Sequence, residues 1–228
     1  MQEAKLSVVA TPIGNLEDVT LRALRILKEA DVIFCEDMRV TGRLLDRYEI
    51  TTRMTPLNAR TERVKLGSII GALSEGKKVA LVTDAGTPGI SDPGSLVIGH
   101  VREKLPDVLI EAIPGPSALA AALSIAGVST HEFVFLGFLP HKKGRQTLFK
   151  EIAETERAVV FYESPHRILK TLASLVGVLP DERMVVIARE LTKIFEEVVR
   201  GSAKEVQEYF ETQKDKQRGE FVIIVAHQ

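Results

Sequence analysis

The apolar run Val79-Ala80-Leu81-Val82 empties into a connection unlike an ordinary turn: Thr83-Asp84-Ala85-Gly86-Thr87-Pro88-Gly89-Ile90-Ser91-Asp92-Pro93-Gly94. Five of these twelve residues are Gly or Pro and three carry small hydroxyls. Connections in compact domains usually take about two to six residues, so a loop of this length and composition reads as a binding loop. Glycine lets backbone approach a ligand, proline fixes loop shape, and Asp84, Thr87 and Ser91 offer hydrogen-bonding groups. A buried strand that ends in such a loop is how an open α/β sheet binds ligands, at the carboxyl edge of its strands.

The rest of the chain repeats the theme. Residues 6–10, 31–35, 79–82 and 108–112 read as strands, with helices over 19–30, 60–75, 94–104 and 116–126, a βα series. After Gly127 the pattern restarts, with strands at 133–137, 158–162, 184–188 and 221–225 and a further one near 196–200. Helices fall near 145–155, 165–176 and 203–212, and the charged segment Gln213–Arg218 reads as a solvated loop. Two α/β/α domains of roughly equal size are expected, 1–115 and 116–228.

Composition narrows the class. A chain of 228 residues, 45% hydrophobic and without an 18-residue apolar stretch, is expected to be a compact cytoplasmic protein with no membrane contact. The amino terminus lacks the basic-then-apolar form of a signal peptide, and the lone Cys35 lies in an apolar run that reads as buried strand. A net charge of −1 gives no general attraction to nucleic acid, so RNA contact needs a local basic patch such as His141-Lys142-Lys143-Gly144-Arg145. The first strand is followed by Thr11-Pro12-Ile13-Gly14-Asn15, not by a Gly-x-Gly-x-x-Gly fingerprint, and no phosphate-binding P-loop or G-x-S-x-G elbow occurs. The five histidines are scattered without metal-ligand spacing, so no metal site is expected.

Further polar loops follow apolar runs: Ala10-Thr11-Pro12-Ile13-Gly14-Asn15-Leu16, Ile113-Pro114-Gly115-Pro116-Ser117-Ala118, Tyr162-Glu163-Ser164-Pro165-His166-Arg167 and Ala188-Arg189-Glu190-Leu191-Thr192-Lys193. With Glu36-Asp37-Met38-Arg39-Val40-Thr41 and Gly137-Phe138-Leu139-Pro140-His141, these strings resemble the tetrapyrrole-methylase-type, or class III, S-adenosylmethionine-dependent methyltransferases. Within that superfamily they are most similar to the branch that methylates the ribose 2′-oxygen of a cytidine in the decoding region of 16S ribosomal RNA. The likeness runs from about residue 6 to 226. Met38 stands where that branch usually has Thr, and Thr83 where Ser is common.

The resemblance implies S-adenosylmethionine as cofactor, expected in a cleft between the two α/β/α domains and held by Pro12, Asp84, Gly86, Thr87, Ile90, Ser117, Ala118, Tyr162 and Ala188. It implies 16S ribosomal RNA or the small ribosomal subunit as partner, and a homodimer. Candidates for RNA contact are Arg22, Arg39, Arg43, His141, Lys142, Lys143, Arg145, His166 and Arg167. A ribose hydroxyl is a poor nucleophile, so a base or a nearby cation must help its proton leave, and Asp37, Glu163, Glu190 and Lys193 are the candidates. Lys193 as a base requires a depressed pKa; otherwise it stabilises charge on the oxygen. Asp37 and Glu190 have a plain structural reading as partners of Arg39 and Arg189. Two other functions fit parts of the pattern: methylation of a corrin precursor or modified histidine, and a non-catalytic ribosome-assembly factor.

Overall fold

The computed structural model describes residues 4–58 and 61–227. The chain divides after Ser117 into two compact units.

In the first unit β1 (Lys5–Val9), α1 (Leu21–Glu29), β2 (Val32–Cys35), α2 (Met38–Arg47), β3 (Met54–Pro56), α3 (Glu62–Ser74), β4 (Lys78–Leu81), α4 (Ser95–Lys104) and β5 (Leu109–Ile113) follow one another. The sheet order is β3-β2-β4-β1-β5, and every pair is parallel. Side chains alternate across a strand, so each strand feeds two cores. Ile33, Cys35, Ala80 and Val82 meet Ala23, Ile26 and Leu27 of α1 and Leu44 and Leu45 of α2. Their neighbours Phe34, Val79 and Leu81 meet Ile69 and Leu73 of α3 and Val97 and Val101 of α4 on the opposite face. Burial of each such aliphatic side chain contributes about 1.5–3 kcal/mol, which is why the strands read as continuous apolar runs. Cys35 is buried as expected, its Sγ 3.8 Å from the Thr55 carbonyl oxygen.

Helix starts follow from local chemistry. Thr20 Oγ1 accepts from the Ala23 N–H at 3.0 Å ahead of α1, and Asp37 Oδ1 accepts from the Arg39 N–H at 2.8 Å ahead of α2. Neither α2 nor β3 was expected from the sequence. The first has a polar composition with Gly42 inside it and buries only Thr41, Leu44 and Leu45; the second is three residues long and ends in proline.

The second unit contains α5 (Ala118–Ile125), β6 (Phe133–Phe138), α6 (Arg145–Glu154), β7 (Ala158–Glu163), α7 (Ile168–Val176), β8 (Met184–Arg189), β9 (Glu197–Ser202), α8 (Ala203–Thr212) and β10 (Phe221–Val225). Its sheet runs β6-β7-β10-β8-β9, with β6 and β7 parallel and the other pairs antiparallel. The βα alternation fails here because β8 passes to β9 through residues 190–196 without a helix, and a short connection can join only antiparallel neighbours. Phe161, Ile187 and Ile223 pack with Phe149 of α6, Leu172 of α7 and Phe210 of α8 in one core. Ser202 and Glu205 form a reciprocal capping box at the start of α8.

Segment 213–218, expected as a solvated loop, is tied down. It contains a 3-10 turn at Lys214–Gln217, Lys216 bonds to Glu197 and Tyr209, and Gln217 Nε2 donates to the Phe210 carbonyl at 2.7 Å. Among the described residues no helix is long and apolar enough to cross a membrane, and no cluster of metal-ligating side chains occurs.

Candidate functional site

Because β2, β4, β1 and β5 are parallel neighbours, the loops after them emerge on one edge of the first sheet. Those loops are stitched together. Thr11 and Gly86 exchange two backbone hydrogen bonds, 2.9 and 3.0 Å long, and Thr11 Oγ1 donates to the Thr83 carbonyl at 3.0 Å. Gly86 is buried at φ +81°, in the left-handed region, where a side chain would be strained. Gly115 lies so close to Ala10 that an added Cβ would stand 3.0 Å from the Ala10 Cβ, which brings the Pro114–Ser117 loop against the first. Thr87 Oγ1 reaches the Pro116 carbonyl at 3.4 Å, and Asp84 Oδ1 accepts from the Asp37 N–H at 2.8 Å. Pro12, Asp84, Gly86, Thr87, Ile90 and Ser117 therefore sit on adjoining loops of one edge.

The character of this edge fits a ligand that is part apolar and part cationic, as S-adenosylmethionine is. Ile90 stays 41% exposed beside a polar loop, and Thr83 Oγ1 is buried with no hydrogen-bond partner among the described residues. Burial pushes Glu36 and Asp84 above the usual carboxylate range; the charges of Asp84 and Asp92 add to it at Glu36, while at Asp84 the Asp37 N–H opposes it in part. A cation placed there would favour the ionised form of both carboxylates. Glu36 carries no signal of this in the sequence beyond its place in the Glu36-Asp37-Met38-Arg39 string.

Asp37 does not suit proton removal. Its carboxylate binds the Arg39 guanidinium at 2.6 Å while capping α2, and Arg39 holds its pKa down at about 2. The structural pairing is the one present. Arg39 itself is exposed, and Arg22 is half exposed with Glu111 3.4 Å away. Arg43 is exposed too.

In the second unit Ala118 begins α5, Ala188 is buried in β8 opposite Val222, and Tyr162 packs edge-on against Phe135 and Phe138 at 5.0 and 5.4 Å. Glu163, Arg145 and Arg167 are corrections to the sequence reading. Glu163 is 1% exposed, and its oxygens accept from the Ser164 N–H at 2.8 Å and from Thr171 Oγ1 at 2.6 Å. Arg167 Nε lies 2.7 Å from Glu163 Oε1 as an ion pair, its N–H turned off the oxygen. Arg145 is 5% exposed; its Nη2 donates to Thr171 Oγ1 at 2.7 Å and lies 3.7 Å from Glu163, and its guanidinium stacks on Phe149. Burial lowers its pKa and Glu163 opposes that. Arg145 therefore cannot reach an RNA phosphate, and Glu163 has no free face for a substrate proton. Arg167 also turns inward, donating to the Leu139 carbonyl at 2.8 Å. The basic residues left at the surface of this region are His141, Lys142, Lys143 and His166.

After β8, Glu190 and Thr192 adopt positive φ, 50° and 64°, in a compact turn. Lys193 Nζ binds Glu190 and Glu220, each at 2.9 Å. Burial alone would lower the Lys193 pKa, but these two partners outweigh it and the pKa is raised, so Lys193 keeps its proton and the general-base reading fails. It remains a fixed cation. Glu190 is pulled below its usual value, its burial outweighed by bonds from Lys193 and the Glu220 N–H. Its partner is thus Lys193; Arg189 instead donates to the Phe195 and Arg218 carbonyls. Sequence reasoning missed Glu220 and Gly219. At Gly219 (φ +103°) a Cβ would meet Glu190 Cγ at 2.5 Å, so only glycine there lets Glu190 fold back.

The parallel sheet with its edge of polar, glycine-rich loops defines a class, and the match to the model of the tetrapyrrole (corrin/porphyrin) methylases over residues 5–207 assigns it: the chain belongs to that family. It is 44% identical over 223 residues to ribosomal RNA small subunit methyltransferase I of Thermotoga maritima, covering 97% of this chain and 98% of the relative. A relative of the same name from Neisseria meningitidis serogroup A is 44% identical over 96% of this chain and 75% of its own length. The crystal structure of the methyltransferase CobJ shares the fold at a TM-score of 0.75, with 20% identity over 99% of this chain and 95% of that one.

Proposed function

We propose that this chain transfers a methyl group from S-adenosylmethionine to the ribose 2′-oxygen of a cytidine in the decoding region of 16S ribosomal RNA, acting as a cytoplasmic homodimer. The observation that carries this reading is the near-full-length likeness, at 44% identity, to proteins named for small-subunit ribosomal RNA methylation. When bound, S-adenosylmethionine supplies a methyl group already activated on sulfonium. The chain's task is then placement and charge. Asp84 and Glu36 attract the cationic end, Ile90 and Pro12 offer apolar surface, and Thr87 and the backbone near Gly86 shape the loop around it. Lys193, held protonated, is suited to stabilise negative charge growing on the ribose oxygen, and the hydroxyl proton passes to water.

The exposed pair Lys142 and Lys143 supplies a basic turn on a chain of net charge −1. Replacing both with alanine is expected to weaken RNA binding and reduce the slope of log affinity against log salt by about one to two. Cofactor affinity stays unchanged. Anisotropy titrations of a labelled 16S fragment at several salt concentrations measure this, and an unchanged slope removes the turn from the RNA contact. Offering 16S RNA, a corrin precursor and protein acceptors together with methyl-labelled cofactor tests the reading itself: label in RNA supports it, and label in either other acceptor replaces it.

A further inference from the structure

We propose that Glu163 is the positioning residue of the basic turn at 140–144, fixing Lys142 and Lys143 from beneath; this rests on the RNA-binding reading given above. The turn leaves β6 at Phe138 and enters α6 at Arg145, with no regular structure between. Two guanidiniums hold its entry. Arg167 Nη1 donates to the Leu139 carbonyl at 2.8 Å, and Arg145 Nη1 to the Pro140 carbonyl at 3.2 Å. At its exit Gly144 sits at φ +81° and the Arg145 N–H reaches back to the Lys142 carbonyl at 3.3 Å.

Both arginines are held inward by one carboxylate. Arg167 is 2.7 Å from Glu163 Oε1, and Arg145 is linked to Oε2 through Thr171 Oγ1, which accepts from the guanidinium and donates to the carboxylate. Glu163 stands at the end of β7, a strand buried at every position but Tyr162, so its own position is set by the sheet. The group holds two positive charges and one negative. Without the carboxylate, two guanidiniums face each other in a poorly solvated space, and the more exposed one, Arg167 at 14%, is the one free to swing outward. Its departure releases Leu139 and unfastens the turn. The two clamped carbonyls, of Leu139 and Pro140, lie two to four residues before the lysines, so the clamp acts on the turn that carries them.

A mobile turn must be ordered whenever RNA binds, at a cost per immobilised side chain that for two lysines amounts to about tenfold in affinity. Glu163→Gln is therefore expected to raise KM for 16S RNA or small subunits about tenfold, leave kcat at saturation within about twofold, and leave cofactor affinity unchanged. Trypsin should cut after Lys142 or Lys143 on the order of ten times faster than in wild type, because local opening of the turn governs that cleavage. Thr171→Val breaks the relay while keeping all three charges, and decides the matter in the same two measurements if Glu163→Gln does not fold; its shifts should be in the same direction and smaller.

Folded variants with wild-type KM and wild-type tryptic rates at 142–143 overturn the proposal, as does a fall in kcat with KM unchanged, which would place Glu163 at the reacting atoms. A wild-type chain that methylates no RNA sinks the functional reading instead, and the tryptic rates still judge whether Glu163 holds the turn.

Discussion

Replacing Thr87 with tryptophan is expected to weaken S-adenosylmethionine binding by about a hundredfold or more, because an indole cannot fit a closely held loop without filling the space beside it. Thr87 lies between buried Gly86 and buried Pro88, with its hydroxyl against the Pro116 carbonyl, so the loop has little room to retreat. Thr87→Val keeps the volume and loses only a 3.4 Å hydrogen bond, so it should bind nearly as wild type. Calorimetry on the two folded variants separates occlusion from loss of the hydroxyl. Equal affinity in wild type and Thr87→Trp would remove this loop from the cofactor site.

The largest effect on stability is expected at a residue with no part in the chemistry. Arg183 is 3% exposed, and its guanidinium donates to the carbonyls of Ile152, Ala153, Thr155 and Ala226 at 2.7–2.9 Å. Three of those carbonyls lie at or just beyond the carboxyl end of α6, where helical carbonyls lack partners and a cation is favoured. No carboxylate shares the site among its hydrogen bonds; burial lowers the Arg183 pKa, but a guanidinium stays protonated inside proteins. Arg183→Met keeps the stem and strands the carbonyls, so the loss should be about 3 kcal/mol or more. For a chain of this length that corresponds to a fall in Tm of roughly 6–12 °C. Thermal denaturation followed by circular dichroism measures it, and a shift below about 2 °C would mean that water replaces the guanidinium without cost.

The central strands were legible because they are buried on both faces, as in Val79–Val82 and Phe221–Val225, and a run of β-branched and aromatic residues has few other uses. The carboxyl-edge loops were legible for a related reason: Gly86 and Gly94 mark backbone that only glycine adopts easily, and the structure gives both positive φ. What the sequence hid is pairing across long separations. Arg145 reads as one more cation in a basic turn; its burial is decided by Glu163 and Thr171, 18 and 26 residues away. Lys193 likewise reads as a possible base, and Glu220, 27 residues on, fixes it as a cation. Helix α2 hid because its buried side is only three residues wide and its start depends on a cap that looks like a catalytic aspartate.

The central claim, methyl transfer to a ribose oxygen of 16S RNA, is tested most directly by nucleoside analysis of small subunits incubated with the purified chain and S-adenosylmethionine labelled in its methyl group. The account predicts label in 2′-O-methylcytidine from a single site in the decoding region, and none with Thr87→Trp. Label in a base-methylated nucleoside or in ribosomal protein, or an unlabelled subunit despite a folded chain that binds the cofactor, would contradict it.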